Sequence, residues 1–208
     1  MHELTKLIRE DMRPALGVTE PGAIAFAAST ARRHAPGEIR RITLRLNSGM
    51  FKNAFTCGIP GSDEVGNAHA AALGAVGADP DKGLECLDGI TSAQAEAARK
   101  MVENGLITVE LQEITSRIFI EATVETDQGS AAVTIRDSHT NIVKIAENGV
   151  TVWEKETAAE AAGEEPPVIH RYTLAQLVDY AETVPAAELA FIRQAFTTNL
   201  ALFKAGLN

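Results

Sequence analysis

The sequence predicts an α+β fold in which helices pack on a mixed, mostly antiparallel sheet, followed by a helical C-terminal segment. Helical segments come first along the chain, and a run of consecutive alternating strands then fills residues 107–154. Such consecutive strands are typical of an antiparallel sheet with one covered face. The 208 residues suffice for a domain with a sizeable core.

The first part of the chain is predicted to form helices on either side of one strand. Residues 2–12 form a short amphipathic helix, and an alanine-rich helix follows the turn at 15–22 and runs to about Arg33. Apolar and polar residues alternate over 38–47, which indicates a half-buried strand. The glycine-rich stretch 48–67 is predicted to be loops around one short strand.

Two helices and then the strands come next. The helices cover 64–76, which is rich in small residues, and 92–104, which Thr91 or Ser92 caps and Asn104-Gly105 ends. Alternation places the strands at 107–112, 118–125, 131–135, 142–146 and 150–154. Asn148-Gly149, between the last two strands, is a strong hairpin signal.

The pattern predicts three parts: an α+β domain at 1–154, an acidic linker at 155–167, and a helical segment at 168–208. The last part holds helices at about 173–183 and 185–205. The second of these carries an apolar stripe formed by Leu189, Ile192, Phe196, Leu200 and Phe203. That stripe is either intramolecular core or a docking surface for a partner chain.

The composition excludes some classes of binding partner and indicates the cellular compartment. A net charge of -9 and a pI near 5.1 argue against nucleic acid and anionic membranes. No apolar run approaches the length of a membrane span, and residues 1–15 lack the apolar core of a secretory signal. Two cysteines make no disulfide framework, so we expect a cytoplasmic protein.

The stretch from Gly17 to Pro21 places a helix start after a glycine turn. Free N–H groups at such a start attract anions, a substrate carboxylate among them. The alternative interpretation is an ordinary capped helix start.

Two further stretches offer polar groups or close backbone approach. Ser48, Lys52 and Asn53 supply a hydroxyl, a cation and an amide, a set able to hold a carboxylate and an amine, or else simply a polar loop. Gly61, in Gly58–Ser62, allows a sharp turn or a ligand close to the backbone. The stretch lacks the Gly-Lys-Ser/Thr ending of a phosphate-binding loop, which excludes a nucleotide site of that kind.

The fourth stretch lies between two predicted strands and holds His139 and Asn141. A loop histidine can act as an acid or a base near neutral pH, although such a residue is also an ordinary member of a turn.

Taken in order, these motifs resemble the L-cysteine desulfidase and L-serine dehydratase alpha-chain family. The motifs are Ala15–Pro21, Ser48–Asn53, Gly58–Ser62, His139–Ile142 and the small-residue run Ala70–Gly77. The resemblance implies a lyase of amino-acid degradation that uses a [4Fe-4S] cluster, releasing pyruvate and ammonia by elimination.

Two departures from the family pattern change what the resemblance implies. The family has a cysteine ligand where this chain has Val18, and valine offers no lone pair to iron. The other family ligands lie in a C-terminal half that follows the part resembled here. The resemblance therefore implies no metal ligand and no cofactor in this chain alone, with the [4Fe-4S] cluster expected for complete family members.

Two functional hypotheses follow. In the first, the chain is the N-terminal part or a subunit of such a lyase, and a second polypeptide carries the missing half. His139 and Lys52 are then the catalytic candidates, and the residues expected to bind a small amino-acid substrate are Thr19, Glu20, Ser48, Asn53, Gly61 and Asn141. In the second, the chain is a non-catalytic amino-acid-binding or scaffold protein that docks on a partner chain. A homo-oligomer is a further expectation.

Overall fold

The computed structural model describes residues 1–12, 17–155 and 167–207. The start of the predicted turn at 15–22 and the predicted linker, apart from its two end residues, lie outside the described residues. The described residues form two compact units, one of 17–155 and one of 1–12 with 167–207. The sequence analysis had placed 1–12 with the sheet, whereas the structure groups it with the C-terminal helices.

The larger unit contains a six-stranded mixed sheet, which confirms the predicted α+β class. In chain order the strands are β1 (Ile39–Asn47), β2 (Ile107–Glu113), β3 (Phe119–Thr126), β4 (Ser130–Arg136), β5 (Ile142–Glu147) and β6 (Val150–Glu154). Their spatial order is β2-β1-β3-β4-β5-β6. Only the β1–β2 pair among them is parallel, because a helical crossover joins these two strands.

One face of this sheet is apolar and the other is polar, as the alternation predicts. The buried apolar side chains of β1, β3 and β4 are Ile42, Leu44, Leu46, Ile120, Ala122, Val124, Ala131, Val133 and Ile135. On the opposite face, the Arg45 guanidinium bridges neighbouring strands, at 3.1 Å from both Glu110 and Glu121. The core therefore lies on one side of the sheet only.

Helices of the larger unit cover the apolar face. Helices α2 (Thr19–His34), α3 (Ser48–Asn53) and α4 (Asn67–Gly77) contact the strands, and α5 (Ser92–Glu103) packs on α4. The first helix of the chain, α1 (Glu3–Asp11), belongs to the other unit. Helix α2 is buried from Pro21 to Ala31 and contacts β3, β4 and α4. Helix α5 begins with a capping box in which the Thr91 side chain and Gln94 satisfy each other's backbone N–H groups.

Helices α2 and α4 approach each other closely because small residues line both of them. A Cβ atom on Gly74 would lie 2.5 Å from the Ala25 carbonyl oxygen and 2.7 Å from the Ala25 Cα atom. Neither contact is sterically allowed, so the glycine sets the distance between the two helices.

The stretch 48–67 differs from its prediction as loops around a strand. Its first six residues form helix α3, which begins directly after β1, and its only pairing in the described structure is an isolated bridge between Gly58 and Val65. The helix predicted from residue 64 begins at Asn67 instead. Gly66 precedes it with φ +95°, a conformation that only glycine adopts without strain, and this ends the irregular segment.

The smaller unit consists of α1 (Glu3–Asp11), α6 (Leu174–Thr183) and α7 (Ile192–Ala205). Thr5 donates or accepts a 2.7 Å hydrogen bond with the Tyr180 hydroxyl, which joins α1 to α6. The last helix starts later than predicted, because residues 185–191 form successive turns after Pro185. Among the described residues, no helix has both the length and the apolar character needed to cross a bilayer.

We expect Gly74→Ala to destabilise the protein by about 2 kcal/mol, because the added methyl group forces α2 away from α4. Urea unfolding followed by circular dichroism measures this loss. Gly58→Ala is the matched control, since a Cβ atom there meets nothing within 4 Å. Equal stability of the two variants would contradict the close packing of α2 on α4.

Candidate functional site

The amino end of α2 is the centre of the candidate site. Val18 occupies the N-cap position, is 50% exposed and gives the helix no side-chain cap. Backbone N–H groups in the first turn of the helix are therefore not satisfied by a capping side chain. They carry the positive end of the helix dipole, which favours an anionic group at this position.

The turn between β4 and β5 brings His139 to this helix end. The His139 Nε2 atom lies 3.4 Å from the Thr19 hydroxyl oxygen, and either atom can donate, depending on the tautomer of the ring. Asp137 starts the turn with φ +66°, a left-handed conformation that aspartate tolerates better than most residues. Both partners of the pair are half-buried.

Helix α3 also contacts this helix end. The Asn53 side-chain amide donates a 3.2 Å hydrogen bond to the Glu20 carboxylate. Because Thr19 and Glu20 are consecutive, the segments holding His139 and Asn53 both contact the first turn of α2. Three of the four segments selected from the sequence thus meet at one place.

The other two selected residues of α3 have different surroundings. The Ser48 hydroxyl donates to the Thr115 carbonyl at 3.2 Å, so that group is engaged in a loop contact. Lys52 is exposed, and its ammonium group makes no ion pair or hydrogen bond with any residue that the structure describes. It remains available to an anion.

The structure engages Asn141 within its own turn. Its amide donates to the Arg136 carbonyl at 3.0 Å, and its oxygen accepts from the Lys155 ammonium group at 2.7 Å. Both ends of the side chain are therefore used in holding the β4–β5 turn in shape. The effect on the site is indirect, through the position of His139.

Gly61 lies at a different cavity. It lines a depression of about 650 Å³ together with α5 residues such as Glu96 and Arg99. Its φ is +78°, and a Cβ atom there would lie 2.9 Å from Ile90. Turn geometry and packing thus account for this glycine, and its cavity is lined by none of the residues around the first turn of α2.

Two buried asparagines support the site, and the sequence analysis did not select them. Asn47 donates to the Thr115 carbonyl at 2.9 Å and accepts from the Phe119 N–H at 3.1 Å, which joins the end of β1 to the loop before β3. Asn67 donates to the Phe51 carbonyl at 3.0 Å and so positions α3. An asparagine adjoining an apolar strand or starting an apolar helix is the signal that could have found them.

The two cysteines are both free thiols, and they have different surroundings. Cys86 is buried, donates to the Gly22 carbonyl at 3.6 Å, and burial raises the pKa of its thiol to about 12. Cys57 donates to the Asn53 carbonyl at 2.8 Å. Within the described parts of the chain, no group of three or more histidine, cysteine, aspartate or glutamate residues is arranged to hold a metal ion.

Comparison with known proteins finds relatives along almost the whole chain. A UPF0597 protein of Dichelobacter nodosus is 35% identical over 205 residues, which cover 99% of this chain and 47% of the relative. UPF0597 proteins of Clostridium botulinum and Yersinia enterocolitica are 33% and 37% identical, over 98% and 97% of this chain and 49% and 47% of the relatives. The chain thus spans about half the length of the curated relatives it matches.

Neither of the other two comparisons adds a relative. No protein-family model matches the chain. No solved structure matches it either.

These relatives overturn the resemblance drawn from the motifs. All of them carry the UPF0597 name, and none is named as a cysteine desulfidase, a serine dehydratase or an iron-sulfur protein. The interpretation as part of an amino-acid-degrading lyase is therefore wrong, and the alternative of a non-catalytic scaffold of that fold gains no support. Short glycine-rich and polar motifs recur at loops and helix starts for reasons of backbone geometry, which explains the error.

We expect only Cys57 to react with a thiol reagent such as Ellman's reagent in the folded protein, because the Cys86 thiol is buried and stays protonated. The release of one chromophore per chain at pH 8, and of two after denaturation, checks this. Cys57→Ser is the control and removes the reaction of the folded chain. Reaction of both thiols without denaturation would contradict the described burial.

Proposed function

We propose that the amino end of α2 binds a small amino acid and that His139 exchanges a proton with it. The observation that supports this is the meeting of two polar pairs on the first turn of α2, Thr19 with His139 and Glu20 with Asn53.

The two ends of an amino acid find complementary groups here. Its carboxylate is attracted by the free N–H groups at the start of α2 and by the ammonium group of Lys52. Its ammonium group is attracted by the Glu20 carboxylate, which accepts one hydrogen bond among the described residues, from Asn53. A ligand with both charges gains from both contacts, and a ligand with one charge loses one of them.

His139 supplies the acid–base group. Imidazole is the side chain whose charge changes near neutral pH, and a half-buried ring 3.4 Å from a hydroxyl can pass a proton through that hydroxyl to a bound molecule. Asn141 and Lys155 hold the turn that carries the ring, so the ring needs no large rearrangement to act.

We further propose a cytoplasmic location. Both cysteines are free thiols, and such thiols persist in a reducing compartment.

We expect at least one member of a panel of the twenty L-amino acids to bind and to shift the imidazole NMR signals of His139 but not those of His170. Glu20→Gln should weaken binding about tenfold, because the charge facing the ammonium group is lost. Isothermal titration calorimetry measures the affinity, and imidazole NMR spectra report on each ring.

Matched controls separate this proposal from a purely structural contact. Glu113→Gln removes the same charge from an exposed position on β2, and His170→Gln replaces an exposed ring of the smaller unit. Both should leave affinity unchanged, whereas His139→Gln should lower it, because the ring that contacts Thr19 is lost. A panel in which no amino acid shifts the His139 signals would disprove the proposal.

A further inference from the structure

The last helix of the chain presents an uncovered apolar face. The α7 face is defined here by Ile192, Phe196, Leu200 and Phe203, which lie along one side of the helix at spacings of three and four residues. Phe196 is 68% exposed and Phe203 is 62% exposed. Scattered apolar side chains are ordinary on a protein surface, but two phenylalanines in one stripe are not.

Nothing within the described residues stabilises α7 by burial. Neither α6 nor α7 contains a buried residue. Isolated helices of this length are marginal in water, and most helical stability in proteins comes from packing an apolar face. Helix α7 therefore needs a covering surface to be stable.

The α7 face continues into a groove that can accept a side chain. A depression of about 400 Å³ lies where α6, the following turns and α7 meet. Its apolar lining consists of Ala181, Val184, Ala186, Leu189, Ile192 and Phe196. Grooves of this kind, formed by small and branched residues next to an exposed aromatic ring, receive the anchoring residues of packed helices.

We propose that the α7 face and this groove pack against a polypeptide of the kind that the relatives carry outside the stretch matched by this chain. The UPF0597 protein of Dichelobacter nodosus devotes 47% of its length to the match, so about half of its sequence remains to form such a partner. The matched stretch covers 99% of this chain and therefore includes α7.

Charge argues against a second copy of this chain as the occupant. Both charged residues of α7 are cationic, Arg193 near its start and Lys204 near its end. An antiparallel pairing of two α7 helices about their centres would place Arg193 of one copy opposite Lys204 of the other. Like charges facing each other across an apolar contact oppose association.

Hydrogen–deuterium exchange on this chain and on a full-length relative tests this inference. We expect the amides of 192–205 to exchange rapidly in this chain, and the aligned segment of the full-length Dichelobacter nodosus relative to exchange about a hundredfold more slowly. Changes in the relative that correspond to Phe196→Glu and Phe203→Glu should remove most of that protection. The change that corresponds to Thr198→Glu adds the same charge to the opposite side of the helix and should have little effect.

Three results would overturn the inference. The aligned segment of the relative could exchange as rapidly as α7 does in this chain. Residues 192–205 of this chain could be protected without a partner at any protein concentration. Sedimentation equilibrium could also show that this chain dimerises and that Phe196→Glu abolishes the dimer, which would make a second copy the occupant.

Discussion

The close approach of α2 to α4 is the constraint on which the rest of the larger unit depends. Gly74 allows the two helices to lie side by side, and both can then cover the apolar face of one sheet. Burial of α2 from Pro21 to Ala31 leaves its first turn at the edge of the core, where the turn after β4 and helix α3 reach it. The candidate site is thus a consequence of how the core is packed.

The polar residues of the larger unit fall into two groups. Asn47, Asn67 and Asn141 use their amides to hold loops and helix α3 in place. Lys52 has no such engagement among the described residues, and Glu20 and His139 each have one partner at the helix end. Groups of the first kind shape the site, and groups of the second kind are available to a ligand.

The two units differ in the way that they are stabilised. The larger one has a continuous core of buried side chains, whereas α6 and α7 of the smaller one bury none. Amphipathic patterning identified four of the five predicted stripe residues on α7, whereas Leu189 lies in the turns before the helix. Pattern alone does not say whether such a stripe faces the core or a partner. The relatives are about twice as long as the matched stretch, and this extra length favours a stripe that faces a partner polypeptide.

Local sequence determined the strands, because side chains on a strand alternate between two faces and the 107–154 run keeps that alternation throughout. It also determined the hairpin at Asn148-Gly149. Tertiary structure decided that Ser48–Asn53 is a helix, since a buried amide of Asn67 holds its Phe51 carbonyl from sixteen residues away. It alone also decided that His139 faces Thr19, 120 residues earlier, while Gly61 faces a different cavity. Such pairings depend on the order and register of strands, which no local pattern encodes.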